Sequence, residues 1–240
     1  MPEPYILCLE SCAMPSSAAV FAGNKMISLA VVHQSNSHAR TLTILAEQAM
    51  KNAGISYSEL SAVAVSEGPG SYTGLRIGYS TAKGICFSHD IPLISVPTLA
   101  ALATEALPFA GPDALVCPMI DARRMEVYCG LYRTGENGFP EEVMPVQAVV
   151  VTPEFFASYL ENNKIIFIGD GSAKCRAILG HFTNAVITDT VFPSAFQTGR
   201  LAAVMYAQGR FADLAYSEPF YLKEANTGNK PAARGVFRQV

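Results

Sequence analysis

The sequence is short of charge. Asp, Glu, Lys and Arg make up only 15% of its 240 residues, half of the residues are hydrophobic, and the net charge is −3. A composition this apolar excludes a disordered chain. The absence of a positive excess argues against a strongly basic nucleic-acid surface. Long apolar runs are also missing, since none reaches the ~18 residues of a membrane span. The amino terminus, MPEPYILCLE, has no basic stretch and meets an acid after five apolar or aromatic residues, unlike a signal peptide. None of the six cysteines (Cys8, Cys12, Cys86, Cys117, Cys129, Cys175) forms a C-x-x-C pair, and most sit in apolar runs. They are expected as free buried thiols in a reducing cytoplasm. The four histidines, His33, His38, His89 and His181, have no zinc-type spacing.

What is present is an alternation of strand-like and helix-like segments. Tyr5–Leu9 reads as a buried strand, and Ser17–Ala22 and Met26–His33 form a hairpin across Gly23-Asn24. From Ala39 to Ala53 the period changes, with Leu42, Leu45, Ala46, Ala49, Met50 and Ala53 on one helical face, closed by Gly54. A strand at Ser61–Ser66, a glycine-rich turn, a helix to about Phe87, a strand at Ile91–Val96 and a helix from Pro97 to about Leu107 follow. Pro108–Asp113 is the expected linker. Beyond it, strands are expected at Ala114–Ile120, Met125–Arg133, Val143–Val151, Ile165–Ile168 and Ala185–Ile187. Helices are expected at Pro153–Asn162 (capped by Thr152), Ser172–Gly180 and Ala195–Gln208. Each half thus starts with successive strands and goes on to alternate, which suggests duplication and partly parallel sheets with right-handed crossovers.

The stretch Ser66–Gly78, SEGPGSYTGLRIG, holds four glycines and a proline. A strand end, a glycine turn and a helix start together make an anion site. The spacing, however, is not a Walker loop, a dinucleotide fingerprint or a hydrolase elbow. In helical projection Gly74, Gly78, Ala82 and Ile85 share a face. Glycine inside a helix costs roughly 1 kcal/mol against alanine, so two of them point to close approach of another backbone, within this chain or from a second subunit. Leu75, Tyr79, Tyr72, Cys86 and Phe87 make the rest of that helix apolar except for a strip at Arg76, Ser80 and Lys83. Ile44 lies opposite the core stripe of the preceding helix, where it suggests a helix–helix contact patch.

Five strings occur in order: Ile6-Leu-Cys-Leu-Glu-Ser11, Glu67-Gly-Pro-Gly-Ser-Tyr-Thr-Gly-Leu-Arg-Ile-Gly78, Ile91-Pro-Leu-Ile-Ser-Val96, Ile120-Asp-Ala-Arg123 with Glu126-Val-Tyr128, and Glu218-Pro-Phe-Tyr-Leu222. Nearly end to end, the chain resembles the TsaB (YeaZ) family, the dimerization subunits of the bacterial tRNA threonylcarbamoyladenosine machinery. The resemblance implies an α/β actin-like ATPase (ASKHA) fold of two ribonuclease-H-like domains, each a mixed five-stranded sheet flanked by helices. The domains would span 1–107 and 108–240, with the last segment a candidate to pack back on the first domain. It implies a TsaD-like paralogue and a TsaE-like ATPase as partners, a homodimer when alone, and contact with tRNA only through the complex.

The same resemblance places the subunit contact on the N-domain helices. The residues expected there are Ile44, Glu47, Lys51, Tyr72, Leu75, Arg76, Tyr79 and Lys83. The paralogue holds its metal with two histidines four apart, and the matching positions here are Thr98 and Leu102, neither of which offers an imidazole. No metal and no tightly bound cofactor is therefore expected, although ATP or ADP at the subunit junction is compatible with the resemblance. Residues near such a nucleotide would be Glu10, Gly68, Gly70, Ser71, Gly169 and Asp170. Glu10 stands where the family usually has Asp and no glycine follows, so independent ATP hydrolysis is not expected; a strand-end carboxylate capping nearby N–H groups is the plainer role. Asp121, Arg123, Arg124 and Glu126 form the densest charged cluster, readable as an anion site or as an ordinary charged hairpin turn. The tail carries Lys223, Lys230, Arg234 and Arg238 against Glu224, readable as a phosphate contact or as a solvated end. The alternative to an accessory subunit is an independent ATP-dependent transferase or peptidase of the actin-like, glycoprotease-related group.

Overall fold

The computed structural model describes residues 3–33, 38–135 and 138–223. The basic tail beyond Lys223, with Glu224, Lys230, Arg234 and Arg238, lies outside the described residues.

The first sheet is built from β1 (Tyr5–Glu10), β2 (Ser16–Ala22), β3 (Lys25–Val32), β4 (Leu60–Gly68) and β5 (Leu93–Pro97), in the order β3-β2-β1-β4-β5. Its first three strands are antiparallel, turned at Gly23 with φ +55°, while β4 lies parallel to β1 and β5 parallel to β4. The crossovers are α1 (His38–Ala53) and α2 (Tyr72–His89). Both helices press apolar stripes onto one face of this sheet, where Leu42, Leu45, Ala49, Tyr79 and Ala82 meet Leu7, Leu9, Val63 and Val65. Gly54 ends α1 in the left-handed region at φ +71°, where glycine carries no Cβ penalty.

After β5 come two short helices, α3 (Thr98–Ala103) and α4 (Leu107–Ala110). The segment read as a linker therefore contains a helical turn. Leu107 and Ala110 are buried between the two sheets, so tertiary burial overrides its Pro/Gly character. The second sheet repeats the topology of the first. Strands β6 (Leu115–Asp121), β7 (Glu126–Thr134) and β8 (Pro140–Val150) are antiparallel, and β9 (Ile165–Ile168) and β10 (Ala185–Ile187) add in parallel, giving the order β10-β9-β6-β7-β8. Helix α5 (Pro153–Asn162) crosses between β8 and β9 and buries Phe156 against Phe167. Thr152 occupies its N-cap position but makes no side-chain capping bond, a correction to its expected role. The expected helix at 172–180 is a 3-10 turn followed by the single turn α6 (Arg176–Leu179).

Helix α7 (Ala195–Ala207) returns to the first sheet and covers its second face, where Ala195, Ala202 and Met205 pack with Ile6, Cys8, Phe21 and Ala64. Strand β1 is consequently buried on both sides, which explains its unbroken apolar run. All six cysteines are free and buried. Among the described residues no helix is long and apolar enough to cross a membrane. Two mixed sheets of identical strand order, flanked by helices, constitute the actin-like (ASKHA) arrangement.

Candidate functional site

The carboxyl ends of β1, β4, β6 and β9 meet between the two sheets, where open α/β folds place their ligands. Glu10 ends β1 and is 1% exposed. Its Oε1 accepts from the Cys12 N–H at 2.8 Å and the Ser66 hydroxyl at 2.7 Å, and its Oε2 accepts from the Thr198 hydroxyl at 3.2 Å. The carboxylate is thereby engaged with β4, α7 and its own turn. Burial, reinforced by the neighbouring Glu10 charge, pushes the Cys12 thiol well above its ordinary value and so disfavours its thiolate form.

The glycines after β4 are filled by this chain's own backbone. A Cβ on Gly70 would lie 2.6 Å from the Cys12 carbonyl oxygen, and one on Gly68 2.5 Å from that of Phe220. On Gly74 it would collide with the carbonyl oxygen of Ser11. Ser71 donates its N–H to the Cys12 carbonyl at 2.6 Å, and its hydroxyl accepts from Gly74 N at 3.3 Å at the start of α2. The Ser11 hydroxyl in turn donates to the Gly74 carbonyl at 2.8 Å. The turn after β1, where a phosphate would have to enter, is thus capped by the first turn of α2. Thr98 and Leu102 are engaged within this chain: Thr98 accepts from the Gly68 N–H at 2.9 Å, and Leu102 is buried in an apolar cluster.

In the second sheet Asp121 occupies the place Glu10 holds in the first. Its N–H donates to Asp170 Oδ1 at 3.1 Å, and its Oδ1 accepts from Arg123 N and Lys174 Nζ, each at 2.6 Å. Burial, with the Asp121 charge adding to it, pushes the Asp170 carboxyl up, while the bonds from backbone N–H groups oppose that shift. Lys174 also donates to the carbonyls of Arg124 and Glu126, and Glu126 pairs with Lys223. Asp121 and Glu126 therefore hold a hairpin turn in which Arg123 and Arg124 adopt φ +69° and +52°. Gly169 precedes Asp170 at φ +103°, with its open side against Met119 and Leu102.

The helix residues expected at a subunit contact divide into three groups. Leu75 and Tyr79 are buried within this chain, which removes them from an external contact. Leu75 packs beside Leu99 and Leu102, and the Tyr79 hydroxyl bonds Ser95, with burial pushing its phenol up to about 12. Tyr72, Arg76 and Lys83 face the chain's own segment 213–221. The Tyr72 ring lies 4.9 Å from Tyr221, Arg76 donates to the Tyr72 hydroxyl at 3.1 Å, and Lys83 donates to the Ala215 carbonyl at 3.3 Å. Ile44 (54% exposed), Glu47 and Lys51 stand on the outer side of α1. Beside them, α2 exposes Ser80, Gly84 and Phe87, the last 82% exposed. Gly84 differs from Gly74 and Gly78 because nothing lies within 4 Å of a Cβ built on it. The sequence showed Gly84 plainly, but not that its two companions have partners at home while it has none.

Comparison with known proteins bears on this arrangement. The family model for tRNA N6-adenosine threonylcarbamoyltransferase (TsaD) matches residues 31–227. The tRNA threonylcarbamoyladenosine biosynthesis protein TsaB of Bacillus subtilis is 30% identical over 164 residues, 68% of this chain and 70% of that one. This chain belongs to the TsaB family. A Pseudomonas aeruginosa crystal structure described as similar to peptidase YeaZ superposes with a TM-score of 0.80 at 25% identity, over 92% of this chain and all of that one. The tRNA N6-adenosine threonylcarbamoyltransferase of Geobacillus thermodenitrificans is 36% identical, but over only 41% of this chain and 33% of its own length. The TsaB relatives thus match along most of their length, and the transferase along a third.

Proposed function

We propose that this chain is a non-catalytic partner subunit in the formation of N6-threonylcarbamoyladenosine on tRNA. In this reading it pairs with a TsaD-like transferase through the outer side of α1 and α2, self-pairs through the same side when alone, and supports docking of a TsaE-like ATPase. ATP or ADP would belong to the subunit junction, and tRNA would meet this chain only as part of the assembly, in the cytoplasm. The observation that carries the proposal is Gly84. A glycine in mid-helix costs about 1 kcal/mol against alanine. Gly84 is exposed, has nothing within 4 Å of its missing side chain, and lies between exposed Ser80 and Phe87. A second backbone seated there would account for it.

The test is light scattering on a sizing column with this chain alone, with the TsaD-like paralogue of the same organism, and with the TsaE-like ATPase and ATP added. A stable one-to-one complex with the paralogue is the expected result; no complex under any of these conditions overturns the proposal. Gly84→Leu sharpens it. Diluted below the range of self-pairing, the isolated variant should be as stable as the parent or more so, by up to about 1 kcal/mol, because leucine is the better helix former and the space around Gly84 is open. Its affinity for the paralogue should fall at least about tenfold, the equivalent of 1.4 kcal/mol. Unchanged affinity would move the contact away from this strip. Phe87→Ser should weaken pairing in the same assay while leaving urea unfolding of the isolated chain, diluted below the range of self-pairing, within about 0.5 kcal/mol of the parent, as expected for an exposed side chain.

A further inference from the structure

The charged turn between β6 and β7 plays no part in the subunit contact proposed above. Its acids are engaged inside the chain. Asp121 Oδ1 accepts from the Arg123 N–H and from Lys174 Nζ, each at 2.6 Å, and Glu126 pairs with Lys223. Its arginines are not so engaged. Arg123 and Arg124 are exposed, and neither guanidinium makes a hydrogen bond, ion pair or ring contact to another described residue.

Two features set this pair apart from ordinary surface charge. The first is the backbone. Arg123 and Arg124 lie in succession at φ +69° and +52°, the left-handed region in which a β-carbon is crowded and glycine is not. Among the described residues no other two neighbours with side chains do so. The Ala122 N–H donates to the Glu126 carbonyl at 3.1 Å, the Glu126 N–H to the Arg123 carbonyl at 3.2 Å, and Lys174 Nζ to the carbonyls of Arg124 and Glu126. All these bonds use backbone atoms of the turn, so it closes without either guanidinium. A hairpin that only had to reverse the chain would carry glycine or asparagine here. Two large cations in that conformation point to a use for their side chains.

The second feature is place. Lys223, the last described residue, bonds Glu126 of this turn, and its Nζ lies 5.9 Å from the centre of the Tyr128 ring. The sequence that follows carries Lys230, Arg234 and Arg238 against Glu224. Seven residues separate Lys230 from Lys223, at most about 25 Å of chain. A fixed arginine pair and a basic segment therefore start from one point of a chain whose net charge is −3.

We propose that the Arg123–Arg124 turn and the basic segment continuing from Lys223 contact the phosphate backbone of tRNA when this chain sits in the assembly. The inference rests on the tRNA-modification role proposed above and gives the chain a contact with the nucleic acid apart from its contact with a partner subunit. Guanidinium groups match phosphate oxygens with paired N–H donors. An acidic protein surface offers the same charge, but a linear succession of cations running on from a fixed pair suits a linear succession of phosphates better than a compact acidic patch.

The experiment uses the full chain in complex with the TsaD-like paralogue and measures tRNA binding by fluorescence anisotropy between about 50 and 200 mM salt. Arg123→Asn with Arg124→Gly keeps the backbone bonds of the turn and relieves its crowding, so the unfolding midpoint of the chain should stay or rise. Its complex should bind tRNA at least about tenfold more weakly, with the salt dependence shallower by about one to two phosphate contacts. Arg123→Lys with Arg124→Lys should retain most of the affinity, and Gln in place of Lys230, Arg234 and Arg238 together should weaken tRNA as the turn variant does. Light scattering reads pairing separately. A parent chain that forms no complex overturns both readings, whereas a turn variant that pairs normally and binds tRNA as tightly as the parent overturns this one alone. Loss of pairing in the turn variant, or unchanged tRNA binding with weakened docking of the TsaE-like ATPase, would also overturn it by assigning the arginines to a protein contact.

Discussion

Gly74→Ala, a change of one methyl group, should destabilise this chain by about 3 kcal/mol, at the upper end of overpacking penalties. For a domain of this size that lowers the thermal midpoint by roughly 6–12 °C. The reason is the atom it meets. The added Cβ would fall inside the contact distance of the Ser11 carbonyl oxygen, which is backbone and has no rotamer to escape into. Ser11 is also tied to α2 by its hydroxyl bond to the Gly74 carbonyl, so the strand end and the helix cannot simply part. Gly78→Ala should cost far less, about 1 kcal/mol. Its nearest obstacle is the Ser11 hydroxyl at 2.7 Å, a side-chain atom that can shift at the expense of its bond to the Gly74 carbonyl, followed by a Val65 methyl at 3.1 Å. Parallel urea melts of the two variants decide the point. A Gly74→Ala protein as stable as the parent would mean that the first turn of α2 is not seated on the end of β1.

The same helix shows what sequence can and cannot deliver. Its glycine face, its apolar surround and the narrow polar strip at Arg76, Ser80 and Lys83 were all legible from periodicity. Which neighbour each face meets was not. Leu75 is covered by α3, Tyr79 by Ser95 of β5, and Tyr72 by Tyr221 from a segment with no helix or strand pattern of its own. An irregular segment carries no periodic signal, so although the family resemblance made the last segment a candidate to pack back on the first domain, its partners Tyr72 and Lys83 were not legible. Helix α5 and strand β9 fall where they were expected, residue for residue, because Pro153 sets the helix start and Ile165–Ile168 is a bounded β-branched and aromatic run. The helical turn Leu107–Ala110 was missed because burial against the second sheet, not local preference, makes it.

The candidate site was legible in its residue types and hidden in its wiring. The end of β1 announces an acid at Glu10, and the Asp121–Glu126 cluster announces charge. Nothing local shows that Lys174 closes the second turn, or that Glu10 is held by residues 56 and 188 positions away. Hydrogen-bond partners at such separations are set by topology, and the strand order places β4 and α7 beside β1 only once the whole sheet is assembled.

That wiring makes Glu10→Ala the other large effect expected. The substitution removes the acceptor for the Cys12 N–H and the Ser66 hydroxyl, both buried, and one of two acceptors for Thr198, whose hydroxyl also reaches the Ser194 carbonyl at 3.2 Å. Hydrogen bonds to a charged group contribute about 1.5–3 kcal/mol each, and a stranded buried donor costs about 1–3 kcal/mol. Two such losses put the expected destabilisation at about 3–5 kcal/mol, measured by urea unfolding. Glu10→Gln is the informative companion. Its amide oxygen can still accept from Cys12 and Ser66, while its NH₂ group would point at the Thr198 hydroxyl, which can turn to accept it. Glu10→Gln should therefore cost less than half as much as Glu10→Ala, and pairing with the TsaD-like paralogue should survive it. A carboxylate serving ATP chemistry would behave otherwise. Glu10→Gln would then leave stability untouched and abolish a nucleotide-dependent activity of the isolated chain. The ratio of the two unfolding costs, read beside an ATP-hydrolysis assay of the chain alone, therefore separates a carboxylate that ties three elements together from one that handles a nucleotide.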